Sequence, residues 1–494
     1  MATIFPEKRH NYTNGRAGPP SSNSTRSYWH RDPSKQLLGH RTTDALPSTA
    51  DVVIIGSGIT GTFAARELVG GHQKIVMLEA REACWGATGR NGGHCQPAVW
   101  DAPADVARFE LATYNIIADL VAKHNIPCDW QVIGGVHPIF TADVLDIAKK
   151  QIKRLKKHPD LKDKAFLIQD KEELSRIHTP HAMAAVYQPQ AAKCWPYKLV
   201  TWLLESLLSE RDASEFNLQT NTVVQRLHHD GSSWNVHTER GQIQCRHVLL
   251  ATNAYTSHLI PEMTGLIIPV RGQVCALEPP EGTMQLPHSY CWMKGADHQY
   301  LIQRGLEDTQ LSNGRGSTNA GDRSLIFGGE RLAERLDGEE GLSNDDNINP
   351  AISEALHKCI GDALKLPMEK EEVDIPKIES QALKASYEWT GIMGYSSDGG
   401  AWVGQVSRSL LGNLVKETNG EADVGGLWVA AGFTGHGMPV AARCGIAIAE
   451  MILGKEGGVE VPTAWRISEE RIKAARGLRI PQTLDELLKE MPAE

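Results

Sequence analysis

A strongly ordered hydrophobic pattern begins at Ala50. Ala50 to Ile55 (ADVVII) is an unbroken apolar run of strand length with β-branched residues, as expected of a parallel strand covered on both faces. Thr62 to Leu68 follows with helical spacing, and Lys74 to Leu78 (KIVML) predicts a second buried strand. Residues 104–125 read as a helix, 142–157 as a basic amphipathic helix and Leu199 to Leu208 as a third helix. The lysine-rich stretch 156–164 reads as a solvated surface. Short strands are expected at Asn221 to Leu227, Ser233 to Thr238 and Val248 to Thr252. Tyr300 to Ile302 and Leu325 to Phe327 read as strands joined through a mobile hairpin tip at 311–322, and Asn344 to Asn349 as a polar loop. Gly425 to Ala431 predicts a last strand, with a Gly-rich turn and a helical run, Val440 to Leu453, after it. Residues 1–49 are polar and rich in Pro, Gly, Ser, Asn and Arg, which predicts an irregular arm. Tyr28 and Trp29 suggest that its second half docks, while residues 1–30 are expected to be dispensable. Glu7 and modest Arg and Ser contents speak against the rival reading, a mitochondrial transit peptide.

Composition narrows the class. The chain has 494 residues, 41% hydrophobic and 22% charged, which fits two to four globular domains or one large discontinuous fold. A net charge of −9 argues against a nucleic-acid binder or an anionic-membrane binder. The nine Cys are scattered without CxxC spacing, so neither a disulfide framework nor a zinc site is expected, and no metal. A reducing, cytoplasmic location fits best. No apolar run of about 18 residues predicts a membrane span, and no secretory or peroxisomal signal is apparent.

The chemistry starts in the first strand–turn–helix. Gly56-Ser57-Gly58-Ile59-Thr60-Gly61 follows a buried strand and opens a helix, the context that makes a GxGxxG turn informative. Gly56 permits the tight turn, Gly58 lets a pyrophosphate approach the backbone, and Gly61 lets helix and strand pack closely. The free N–H groups of the helix start favour a diphosphate. Glu79, 23 positions after Gly56, can accept hydrogen bonds from adenosine ribose hydroxyls. The bland alternative is a Gly-rich turn without a ligand. Two further segments favour FAD over NAD. Cys84 to His94 has four glycines within eight residues, which implies backbone against a flat ligand. Gly432-Phe433-Thr434-Gly435-His436-Gly437 precedes a second helix, so one long cofactor would be held at several places on a discontinuous domain.

On these segments, together with Leu249 to Tyr255 (LLATNAY), Pro269 to Val274 (PVRGQV), the weaker YLIQR and LIFGGE pair and Gly426 to Gly437, the sequence resembles the D-amino-acid-oxidase-like FAD-dependent oxidoreductases over about residues 50–455. That group includes glycine oxidase, sarcosine oxidase and gamma-glutamylputrescine oxidoreductase. GATGRNGGH looks most like the last branch, and the long arm looks like that of many fungal members. The resemblance implies an α/β fold: a Rossmann-like FAD-binding domain of glutathione-reductase type with an interleaved α+β substrate domain on a mixed sheet. The expected division is an arm at 1–49, an FAD domain at 50–125, 191–270 and 385–460, a substrate domain at 126–190 and 271–384, and an extension at 461–494.

The resemblance also assigns residues. Gly56, Ser57, Gly58, Ile59, Thr60 and Gly61 would cradle the diphosphate, with Glu79 on the ribose and Ala80 and Arg81 beside the adenosine. Thr88, Arg90, Asn91, Gly92, Gly93 and His94 would run along the flavin. Val223 and Val224 would cover the adenine, and Ala251, Thr252 and Asn253 would support the dinucleotide. Gly432, Thr434, Gly435, His436, Gly437 and Met438 would form a turn whose helix points at the pyrimidine end and stabilises negative charge there. His94 and His436 are candidates for proton transfer, with local hydrogen bonding as the alternative. Arg271 could bind a substrate carboxylate or be structural. Tyr300, Trp389 and Tyr395 are candidates for cavity walls or core aromatics. No Cys stands near Tyr387 to Trp389, where sarcosine-oxidase-like enzymes link their flavin, so the FAD is expected to be noncovalent. The Lys that those oxidases carry near Ile326 to Gly328 is missing, which puts reaction with dioxygen in doubt. The leading activity is oxidation of a C–N bond of a small amine or amino-acid-like substrate, with dioxygen or another electron acceptor completing the cycle. The alternatives are a dehydrogenase or a C–C or C–O oxidase of secondary metabolism on the same scaffold, and a catalytically silent flavin-binding protein. The oligomeric state is not indicated.

Overall fold

The computed structural model describes residues 15–305, 322–334, 338–369, 382–415 and 426–490. Two eight-stranded sheets organise the chain. The first is built on β1 (Thr49–Ile55) and β2 (Ile75–Leu78), joined by helix α1 (Ile59–Val69). Around them, Phe216–Gln219, Gly241–Leu250 and Leu427–Ala431 extend the parallel pairing. Val52–Ile55, β2, Val248–Leu250 and Leu427–Ala431 are continuously apolar because helices cover one face and a second apolar cluster the other. A meander, Val224–His229 and Trp234–Thr238, adds antiparallel strands at the edge. The helix Ala441–Ile452 lies so close to α1 that a Cβ on Gly445 would overlap the Thr60 carbonyl.

The second sheet runs in the order Ala385–Ser396, Ile267–Leu277, Leu325–Gly328, Asp297–Gln303, Ser289–Lys294, Gly135–Ile139, Ala184–Gln188 and Phe166–Ile168. One pair in it is parallel and the others antiparallel, so the sheet is mixed. The amphipathic helices Ala104–His124 (α2) and Ala142–Leu155 bury their apolar stripes.

Several expectations need correction. The strand Ala385–Ser396 pairs along its length with Ile267–Leu277, so it lies in the second sheet, whereas the third segment of the FAD domain was expected to start at 385. The strand expected from Asn221 begins at Val224: Asn221 takes φ +50°, and the N–H groups of Asn221 and Thr222 donate to Arg81 and Glu79 at the end of β2. The described part of the arm, from residue 15, is largely irregular but not dispensable in packing, since Ser27, Tyr28, Trp29 and His30 are buried. In the polar loop Asn344 to Asn349, Asp345 is fully buried. The expected hairpin tip lies outside the described residues, apart from Asp322. Among the described residues, no helix is long and apolar enough to cross a membrane.

Candidate cofactor and substrate site

The carboxyl ends of β1 and β2 form the first part of the site. Gly56 leaves β1 at φ +110°. A Cβ on Gly61 would overlap the Gly56 carbonyl and lie 3.1 Å from Ile54, so only glycine lets α1 start this close to the strand. Gly58, the N-cap of α1, has no side chain to fill the N–H groups of the first turn. Thr88 reaches this end, its Oγ1 accepting from the Ile59 N–H at 3.1 Å. Glu79 braces the turn: Oε2 accepts from the Ser57 N–H at 3.0 Å and the Ser57 hydroxyl at 2.7 Å, and Oε1 from the Arg81 N–H at 3.0 Å. Carboxylate lone pairs remain beyond these three bonds. Next to this turn, the Ala251 N–H donates to Ile55 and the Thr252 hydroxyl pairs with Thr256. Val223 and Val224 follow the crossing at Asn221 and Thr222, with Val224 buried.

The segment Gly86 to His94 is held by protein rather than only by a flat ligand. A Cβ on Gly89 would overlap Cys84 and His30, one on Gly92 the Tyr300 ring, and one on Gly93 the Trp29 ring; only Gly86 is free of neighbours. Three of these four glycines are thus required by the packing of the chain's own residues, which corrects the sequence argument. The arm supplies much of that packing. Ser27 Oγ donates to Gly89, and the Trp29 indole N–H donates to the Asn91 carbonyl. Asn91 closes its own turn through Thr88 and Gly93. Arg90 donates to Thr390 and Thr25, and it shares Asp345 with Arg81 at 3.3 and 2.9 Å. The Arg90 guanidinium is thereby committed to the protein, whereas Arg81 keeps a buried Nε without a partner among the described residues.

The third part is the turn after Leu427–Ala431. Gly432, Thr434 and Gly435 all take left-handed φ, at +74°, +50° and +75°. Asn253 fixes the turn, its Oδ1 accepting from the N–H groups of Gly432 and Phe433 at 3.0 and 3.4 Å. A Cβ on Gly435 would come 3.2 Å from the Tyr395 hydroxyl. The helix follows at Ala441, close to the expected start at Val440, with Met438, Pro439 and Val440 between it and the turn.

Side chains from both sheets meet around a recess. Tyr300 packs against Gly92 and Gly328, and His94 meets its ring edge-on with centroids 5.4 Å apart. His436 keeps 42% of its side-chain surface open, yet its Nε2 lies 2.7 Å from Glu110 Oε2, which is buried. Burial lowers the pKa of His436, but the charge and hydrogen bond of Glu110, aided by Asp101, outweigh that and raise it above the ordinary value. Burial pushes Asp101 up to about 6. Burial lowers His94 to about 4 and His137 to about 3, His137 also feeling the charge of His436, while the exposed His298 lies on the strand Asp297–Gln303. His137 Nε2 lies 2.6 Å from the Gln96 amide nitrogen and 3.2 Å from that of Gln188; amide nitrogens only donate, so it accepts and the ring is neutral with its proton on Nδ1.

Two candidates leave the substrate list. Trp389 is fully buried and its indole donates to the Arg90 carbonyl at 2.7 Å, so it is a core aromatic. Arg271 pairs with Glu339 through both Nε and Nη2, which removes it as a ready carboxylate binder. Tyr300 and Tyr395 remain half-buried. The sequence reading missed Asp101, Glu110, His137, His298 and Asp345. Glu110 had a signal: it stands on the apolar stripe of α2, at helical spacing from Ala107, Tyr114 and Ile117. The isolated histidines had none.

The arrangement fits a dinucleotide-length group. The start of α1, with no side chain at its N-cap Gly58, suits a diphosphate, and the buried Tyr255 hydroxyl, which has no partner among the described residues, lies near Glu79, Arg81 and Arg90. Fold and site together define a flavin-dependent oxidoreductase. The profile of the family "FAD dependent oxidoreductase" (DAO) matches residues 51–451, and the chain belongs to that family. It is 21% identical to the probable oxidoreductase OrdL of Haemophilus influenzae, over 87% of this chain and 86% of that one. It is 22% identical to gamma-glutamylputrescine oxidoreductase of Escherichia coli, over 82% and 84%. The fold is that of glycine oxidase from Geobacillus kaustophilus, with a TM-score of 0.64 and 17% identity over 85% of this chain and 99% of that one. The protein is an FAD-dependent enzyme acting on a small molecule.

Proposed function

We propose that the enzyme oxidises a C–N bond of a small amine or amino-acid-like substrate, the hydride passing to bound FAD. In this reading Gly56 to Gly61 and Glu79 hold the adenosine diphosphate half, with Val223 and Val224 near the adenine. The segment Thr88 to His94 and the turn Gly432 to Met438 flank the flavin. The observation that carries it is the charge of the recess. Its described titratable groups are carboxylates and mostly uncharged imidazoles, while Arg271 and Arg331 are bound to Glu339 and Asp297. Negative potential in a partly dry recess draws in an ammonium group. An amine reacts as its free base, and Asp101 Oδ1, buried without a hydrogen-bond partner and with its pKa raised to about 6, is suited to hold the proton released. His94 is uncharged at neutral pH and walls the recess beside Tyr300.

Transfer of electrons to a carrier rather than to dioxygen has one specific support. No amine stands at Ile326 to Gly328, where sarcosine-oxidase-like enzymes are expected to carry a lysine, and a side chain at Gly328 would overlap the Tyr300 ring. The test of the activity is anaerobic mixing of the yellow protein with a panel of amines, amino acids and alcohols. Loss of the flavin absorbance near 450 nm with amines supports the proposal; bleaching by alcohols alone, or by nothing in the panel, counts against it.

A further inference from the structure

Glu110 is the one carboxylate that α2 places on its apolar face beside the site. Its Oε2 accepts from the Ala98 N–H at 2.6 Å and meets His436 Nε2 at 2.7 Å, while the side chain is only 2% exposed. A carboxylate buried this deeply needs its partners, since an unpaired buried charge is costly. Its acceptor geometry puts the His436 proton on Nε2 and leaves Nδ1 on the open side of the ring. We propose that Glu110 is a positioning residue for catalysis: by holding His436 through Nε2 it fixes the ring and its positive charge at the left-handed turn Gly432–Gly437, with Nδ1–H offered to the recess. This rests on the reading above that the turn flanks the flavin.

The groups that face His436 are Glu110 from α2, Asp101 from the loop before α2, and His137 and His298 from two strands of the second sheet. Both carboxylates favour the imidazolium, and His137 is uncharged at neutral pH. The elevated His436 pKa follows the same pairing, with burial as the opposing influence. A cation held there favours negative charge that develops nearby during oxidation of the substrate, without a proton having to arrive from solvent.

The test compares wild type with Glu110→Gln, Glu110→Asp and His436→Asn. Glu110→Gln keeps an oxygen for the Ala98 N–H but removes the charge. Histidine NMR titration, with His436→Asn assigning the resonance, is run on flavin-loaded and flavin-free protein. The rate of anaerobic reduction is then followed across pH 6–9. In Glu110→Gln the His436 midpoint should fall, and the alkaline limb of the reduction rate should move down with it, with kcat affected more than KM. Glu110→Asp should restore part of both shifts. An unmoved titration in Glu110→Gln overturns the pairing itself. A titration that moves while the pH–rate profile and flavin spectrum stay unchanged overturns the catalytic role by showing that the turn is not beside the flavin. If Glu110→Gln fails to fold, Glu110→Asp carries the test: an unchanged His436 midpoint and profile in that variant, with its carboxylate withdrawn by one methylene, overturn the proposal.

Discussion

Glu79 shows how one side chain can serve both fold and ligand. Its three protein hydrogen bonds hold Ser57 and Arg81 in place, which fixes the turn that opens α1. Hydrogen bonds to a charged acceptor are worth roughly 1.5–3 kcal/mol each. Glu79→Ala should therefore weaken FAD binding by about one to three orders of magnitude, read by fluorescence titration of flavin-free protein. The half-buried histidines make a second prediction. His94 and His137 have folded pKa values of about 4 and 3, below an unfolded value of about 6.5. Below pH 6.5 the unfolded chain takes up protons that the folded one refuses, so their contribution is complete above that pH and is lost as pH falls toward 4. His436 acts in the opposite direction, since its raised pKa adds stability below 6.5 that is lost as pH rises past the folded value. The thermal midpoint of wild type should drop between pH 6.5 and 4.5, and a His94→Asn, His137→Asn double variant should show a shallower drop.

Among the elements, the arm behaves unlike its composition. The short turn Tyr28–His30 is buried, and Tyr28 meets Trp29, Trp195, Tyr387 and Trp389 in an aromatic cluster. His30 stacks on Trp85 at 3.8 Å. Few apolar residues suffice when they are large and enter a core that other segments have already built. Trp29→Ala should cost about 3–5 kcal/mol, because it opens a cavity beneath Gly93 and removes the bond to Asn91. Chemical denaturation followed by tryptophan fluorescence and by flavin release would measure it; a change below 1 kcal/mol would mean that the arm does not brace the flavin segment.

At the scale of the whole molecule, the two sheets are joined by charge as well as by packing. Asp345 is fully buried between Arg81, which follows β2, and Arg90, which leads to the recess. Arg90 also donates to Thr390 on the edge strand of the second sheet, so this cluster spans the line along which the sheets meet. Removing one partner of a buried ion group leaves the others uncompensated, typically at about 3–5 kcal/mol. Asp345→Asn should lower the unfolding midpoint accordingly and release FAD more readily. A variant in which Arg81 and Asp345 are both replaced should recover part of the loss, as checked by a double-mutant cycle.

The sequence by itself determined what local rules govern. β1, α1 and β2 were legible because a buried parallel strand must be continuously apolar and a helix packed against it needs glycine at the contact, as Gly61 demonstrates. The glycine-rich segments, Glu79 and the family resemblance followed from the same short stretches. Only the tertiary structure decided which distant groups meet. Asp345 reads as part of a polar loop until two arginines, more than 250 positions away, enclose it. Arg271 reads equally as a carboxylate binder or a structural residue until Glu339 is placed on it, and Trp389 as a cavity wall or a core aromatic until its indole is seen to reach Arg90. Glu110 and His436 lie 326 positions apart, and nothing in either one's neighbourhood encodes the other. Strands and turns are specified by a residue and its near neighbours, whereas a buried charge takes its pKa and its partner from the fold as a whole.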